Sequence, residues 1–151
     1  MRIAISSDHG GFEHKQLLIE AIKAMGHTVE DFGVYADESV DYPDFIYPAA
    51  KSVASNSNDL GIIICGTGIG ASIVANKVRG IRCALVTSVE VAQLTREHND
   101  SNVLALAGRT TDYETNLEIV KAWLETPFSE GDRHKQRIQK ISDIEVKEDR
   151  K

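Results

Sequence analysis

The chain has 151 residues with a formal net charge of -6, 42% of them hydrophobic and 26% charged. That size suits a single domain over 1–151 with one core, and the acidic balance, without any clustered lysines and arginines, excludes a general nucleic-acid binder. Two cysteines make no disulfide framework, the five histidines are scattered without metal-ligand spacing, and Met1 to Ser6 already reads as a strand instead of a leader. The expected setting is a reducing cytoplasm, with a small ligand, no metal and no membrane contact.

Arg2 to Ser7 is β-like, and Asp8-His9-Gly10-Gly11 turns into a helix from Phe12 to Met25, apolar at Leu18, Ile22 and Met25. Gly26 stops it, and Thr28 to Phe32 makes a second strand ending at Gly33. A polar loop, Val34 to Asp44, leads through Pro43 into a helix over Phe45 to Ser55. After the Asn56 to Asp59 link, Ile62, Ile63 and Ile64 form a β-branched run of the kind buried on both faces of a sheet. Glycines follow at once at 66, 68 and 70, and a helix is expected from about Gly70 to Val78.

Ile81 to Val86 returns as a fourth strand carrying Cys83, where an inert buried thiol is expected. Ser88 caps a helix through Glu97, and His98-Asn99-Asp100-Ser101-Asn102 reads as a polar loop before the strand Val103 to Ala107. Gly108-Arg109-Thr110, a helix over Thr111 to Leu124 and a last helix over Asp132 to Ile144 follow, with Ile138, Ile141 and Ile144 on one side and a frayed charged tail, Glu145 to Lys151, beyond. Strands alternating with helices predict an α/β fold: a five-stranded parallel sheet covered on both faces, with ligands beyond the carboxyl ends of the strands.

Cys65 closes the third strand just ahead of amides that attract anions, where the positive end of a helix favours a thiolate. That reading requires the thiol to reach a ligand; a side chain sealed in the interior would exclude it. Gly66-Thr67-Gly68-Ile69-Gly70-Ala71 also fits the loose dinucleotide fingerprint, with Glu90 about twenty residues on in the place of a ribose-binding acid. The motif follows the third strand, not the first, and Glu90 falls within a helix, which weakens the nucleotide reading. His98 is equally well explained as a helix terminator, and Asp8-His9 as a capping pair. Arg133, His134 and Arg137 share one helical face, which with Arg109 would clamp a phosphate if the last helix folded over the strand ends of this chain or of a second copy.

Asp8-His9-Gly10-Gly11-Phe12, Asp41-Tyr42-Pro43, Ile64 to Gly70, Ala75-Asn76-Lys77, Gly80-Ile81-Arg82, His98 to Leu104 and Gly131-Asp132-Arg133-His134 together resemble type B ribose-5-phosphate isomerase. The resemblance spans nearly the whole chain in order, and the superfamily also holds galactose-6-phosphate and allose-6-phosphate isomerases. It implies a Rossmann-like three-layer α/β/α sandwich with a C-terminal helix, a homodimer or homotetramer, no cofactor, and interconversion of ribose 5-phosphate with ribulose 5-phosphate. Carried over, Cys65 is the proton-abstracting base and His98 the ring-opening acid. Asp8, His9 and Asn99 contact the sugar, Gly66, Thr67, Gly68, Ile69 and Gly70 lie against the intermediate, and Arg109, Arg133 and Arg137 hold the phosphate. Ala71-Ser72-Ile73 stands where another branch of the family has a glutamate, so this chain belongs with the cysteine branch.

Overall fold

The computed structural model describes residues 1–149. Five strands, β1 (Arg2–Ser7), β2 (Thr28–Asp31), β3 (Leu60–Cys65), β4 (Cys83–Leu85) and β5 (Val103–Ala107), form one sheet in the order β2-β1-β3-β5-β4. Every pairing is parallel, with Ile5 opposite Ile62 and Cys65 opposite Ala107. Among the described residues six α-helices accompany it: α1 (Phe12–Ala24), α2 (Tyr42–Ala54), α3 (Ile69–Asn76), α4 (Val89–Asn99), α5 (Tyr113–Glu125) and α6 (Asp132–Glu148).

Strand side chains alternate between two buried layers, as the pleat requires. Ile3, Ile5, Ile62, Ile64, Leu104 and Leu106 pack against Leu18 and Ile22 of α1 and Ile119, Val120 and Trp123 of α5. On the other face Ala4, Ile63, Cys65 and Ala105 pack against Ile46, Ala49 and Val53 of α2 and Ala71 and Ala75 of α3. The layers are therefore α/β/α. Because α1 leaves β1 towards one face and α3 leaves β3 towards the other, the crevice where such a fold takes its ligand opens between the carboxyl ends of β1 and β3.

Lys15 of α1 is completely buried, with both Asp31 oxygens 2.8 Å from its Nζ. An amphipathic reading sends lysines outward; this one is kept inside by its charge partner. Asp31 also accepts from the Gly33 N–H at 2.8 Å, and its carbonyl accepts from the Tyr35 hydroxyl at 3.1 Å, so the loop after β2 leaves the sheet from a fixed base.

Four expectations shift. His98 and Asn99 sit in the last turn of α4 and not in a loop, because Asp100 at φ 45° terminates the helix later than the change in polarity suggests. Helix α2 starts at Tyr42, with Pro43 in its first turn and Pro48 within it. The fourth strand is only Cys83–Leu85, and Cys83 is half-buried, its thiol pushed up to about 12 by desolvation. Helix α6 runs on to Glu148, where a frayed tail was expected, and it buries no residue: Ile141 is 43% and Ile144 60% exposed. Its far end is held instead by the Gly80 N–H donating to Glu145 Oε2 at 2.7 Å and by the ion pair of Arg79 with Asp149.

Candidate active site

Three loops interlock at the carboxyl ends of β1, β3 and β5. The Asp8 N–H donates to the Ile64 carbonyl, Gly108 N–H to the Cys65 carbonyl at 2.8 Å, and Arg109 N–H to the Gly66 carbonyl at 2.9 Å. The approach is so close that a Cβ on Gly108 would stand 2.4 Å from the Gly10 carbonyl oxygen, and one on Gly11 2.6 Å from the Ile64 side chain. Gly68 at φ 78° caps α3 in the left-handed region, which turns the chain sharply from strand to helix.

Asp8, His9, Cys65, Gly66, Thr67, Gly68, Ile69, Gly70 and Arg109 all belong to this end. Asp8 is buried and its Oδ1 has no hydrogen-bond partner among the described residues, an unusual state for a carboxylate. His9 Nδ1 accepts from the Val40 N–H at 3.3 Å, so in the neutral ring the proton is on Nε2. Arg109 is exposed and its stem runs beside Gly66. Of the amides expected to receive negative charge, Ser72 N–H is taken by the Gly68 carbonyl and Ile69 N–H by Thr67 Oγ1 at 3.3 Å. Those of Gly70 and Ala71, in the opening turn of α3, have no acceptor among the described residues.

Cys65 retains 5% of its surface and packs on the α2 and α3 face, while its neighbours Gly66 and Thr67 are half-buried and exposed. The thiol is sheltered, at the rim of the core.

His98, Asn99, Arg133 and Arg137 lie elsewhere. In a parallel α/β sheet each helix runs back against its strand, so the end of α4 falls at the amino ends of the strands. The hydrogen bonds agree: Arg82, just before β4, donates to the Asn99 and Asp100 carbonyls, and the Asn102 carbonyl accepts from Gly61 at the start of β3. There the His98 and His134 rings stack, centroids 4.4 Å apart and planes 16° apart. Burial first, then the charges of His98, Arg133 and Arg137, holds His134 below the ordinary histidine range. The expected clamp of three arginines is not assembled within one chain, since Arg109 is at one end of the sheet and Arg133 and Arg137 at the other.

Sequence reasoning assigned no role to Tyr42, whose ring lies against Gly70, where a Cβ would come within 2.8 Å of its hydroxyl oxygen. It also missed the Val40 N–H and the stacking of the His134 ring on His98. A tyrosine opening a helix carries no distinguishing pattern; the His98 and His134 pairing depends on tertiary placement alone.

Residues 3–141 match the model of the family described as Ribose/Galactose Isomerase. YwlF of Bacillus subtilis is 49% identical over 148 residues, covering 97% of this chain and 99% of that protein. The type B ribose-5-phosphate isomerase structure from Clostridium thermocellum superposes with a TM-score of 0.95 at 49% identity, covering 97% of this chain and 99% of that one. A Mycoplasma genitalium enzyme of the same type, solved with ribulose 5-phosphate bound, gives 0.93 at 42% identity over 96% of each chain. A cradle of strand-end loops and a family model that covers most of the chain meet in one assignment: this chain belongs to the ribose/galactose isomerase family.

Proposed function

We propose that the chain is a ribose-5-phosphate isomerase that exchanges ribose 5-phosphate with ribulose 5-phosphate in the cytoplasm, as one domain acting in a homodimer or homotetramer. The observation that carries the reading is the division of chemistry between the two ends of the sheet, because neither end alone holds a base, an acid and a phosphate clamp. A two-fold axis that sets the Cys65 loop of one copy against the His98 cluster of the next completes two identical sites. Exposed apolar side chains on three helices support it, Ile73 at 55% on α3, Val91 at 44% and Leu94 at 38% on α4, and Ile141 and Ile144 on α6.

In that composite site His98 gives a proton to the ring oxygen as its bond to C1 breaks, while Asp8 or Thr67 places the anomeric hydroxyl, whose proton passes to the Asp8 carboxylate as the C1 carbonyl forms, opening the sugar. The Cys65 sulfur then takes the C2 proton, and the C–H electron pair becomes the C1–C2 double bond as O1 takes up negative charge. The O2 proton passes to O1, the Cys65 proton goes to C1, and the carbonyl is left on C2. Amides of Gly70 and Ala71 stabilise the enediolate at a cost of no reorganisation, a contribution typically worth on the order of 3 kcal/mol per donor. Asp8 and His9 meet sugar hydroxyls, with Asn99 a further contact. Arg109 of one copy and Arg133 and Arg137 of the other fix the phosphate, supplying orientation remote from the reacting carbons.

Arg137→Ala removes a charged hydrogen-bond donor to phosphate, so KM for ribose 5-phosphate is expected to rise about 10- to 100-fold with a smaller change in kcat. An unchanged KM would return α6 to being a plain surface. The function itself is tested by ketose formation from ribose 5-phosphate, allose 6-phosphate and galactose 6-phosphate in chelator-treated buffer. The pentose is expected to be turned over fastest. A preference for either hexose makes this a hexose-6-phosphate isomerase of the same mechanism; no turnover with saturable adenine or nicotinamide nucleotide binding would favour the nucleotide fingerprint.

A further inference from the structure

Neither ring nitrogen of His98 is hydrogen-bonded among the described residues, and what holds the ring is its face against His134. The last torsion of a histidine is a broad two-fold well, not a sharp rotamer, so an imidazole at the end of a helix needs a neighbour to define its plane. The neighbour is itself well placed. Ser129 donates to the Glu97 carbonyl of α4 through both its Oγ, at 2.6 Å, and its N–H, which pins the connector before α6 to the turn that carries His98. Gly131 leaves the space that the His134 ring occupies, since a Cβ there would stand 3.1 Å from His134 Cδ2.

The geometry points to His134 as a positioning residue for ring opening, a flat plate that fixes the plane of the His98 imidazole and leaves both of its nitrogens free for the sugar. The inference rests on the reading of His98 as the ring-opening acid. A plate beneath an acid that carries a proton must itself stay neutral, because two stacked imidazolium rings repel. Its surroundings act in that direction: desolvation, His98 from α4, and Arg133 and Arg137 from its own helix all disfavour the charged form. This arrangement does not need His134 to touch substrate.

Two readouts on the full-length protein separate ring opening from enediolate chemistry. The first is turnover of ribose 5-phosphate, which is ring-closed. The second is exchange of the C1 hydrogens of ribulose 5-phosphate with deuterium oxide, for that ketose has no free hydroxyl placed to close a ring on C2. His134→Ala is expected to lower kcat on ribose 5-phosphate on the order of 10- to 100-fold, the usual consequence of a misplaced catalytic group, with C1 exchange and KM within about twofold. His134→Phe, which keeps a flat ring without its nitrogens, is expected to recover most of the loss.

An alanine variant with unchanged kcat overturns the proposal, as does an equal loss in both readouts. A rise in KM that phenylalanine does not repair makes His134 a phosphate ligand instead. His98→Asn is measured in parallel: it must lose ribose 5-phosphate turnover while keeping C1 exchange. If it loses both or neither, the ring-opening role of His98 fails on its own, separately from anything His134 does.

Discussion

Mixing Cys65→Ala chains with His98→Asn chains is expected to restore isomerase activity that neither variant has alone. Within one chain the two residues are held at opposite ends of the sheet. The rise along β3 from Gly61 to Cys65 alone is about 13 Å, at roughly 3.3 Å per residue, and His98 lies beyond the Gly61 end. No side-chain motion closes that gap, so the proposed site needs a second copy, and a two-fold axis would create two such sites, each drawing Cys65 from one chain and His98 from the other. In a hybrid dimer one site collects both mutations and the other neither. Random exchange makes half the dimers hybrid with one intact site of two, so recovery approaches about one quarter of the wild-type rate. Native mass spectrometry verifies the exchange. No recovery among verified hybrids would mean that each chain works with its own residues. Placing a charge at Ile73 on the exposed face of α3, as in Ile73→Glu, is expected to yield monomers without turnover, because it separates the half-sites while leaving each chain folded.

That separation explains which parts of the molecule the residues announced and which they did not. The Ile62 to Ile64 run and the glycines behind it define the central strand and its cradle, since burial on both faces and a sharp backbone turn each demand particular residue types at adjacent positions. The layers follow from the alternation of strand and helix. The position of His98 relative to Cys65 does not: it follows from the antiparallel return of α4, so that a residue ending a helix and one ending a strand fall at opposite poles. Helix α6 misleads for a related reason. Ile138, Ile141 and Ile144 fall on one side of the helix, yet among the described residues Ile138 is only half-buried and Ile141 and Ile144 stay exposed, and from periodicity alone a stripe turned to solvent or to another chain reads the same as one meant for the interior. Lys15 escapes notice because the residue that pays its desolvation, Asp31, is a strand away.

Cys65→Ala is expected to abolish exchange of the C1 hydrogens of ribulose 5-phosphate as well as isomerisation, a loss on the order of 10²- to 10⁴-fold, because a general base has no substitute in a methyl group. The measurement decides between two readings of the same packing. Cys65 has the neighbours of a core residue, Ala4, Ile46, Ile63 and Ala71 among them, and most free cysteines so placed are small hydrophobes. What distinguishes it is the strand end, the 5% of its surface that stays open, and the unpaired amides of Gly70 and Ala71 a few residues on. Its place at the edge of the core suits a base that carries a proton between C2 and C1, while the part of its surface that stays open lets that proton exchange with solvent, as the C1 readout requires. Cys83 provides the contrast. Its thiol, pushed up to about 12 by burial, lies on β4 with its backbone hydrogen-bonded to the Asn76 amide, and Cys83→Ala is expected to leave the rate unchanged. Thermal unfolding of both alanine variants separates chemistry from structure, since replacing a buried cysteine typically costs about 1 kcal/mol. A Cys65→Ala protein that melts near wild type and still exchanges the C1 hydrogens would make residue 65 a packing residue and oblige another group at the strand ends to serve as the base.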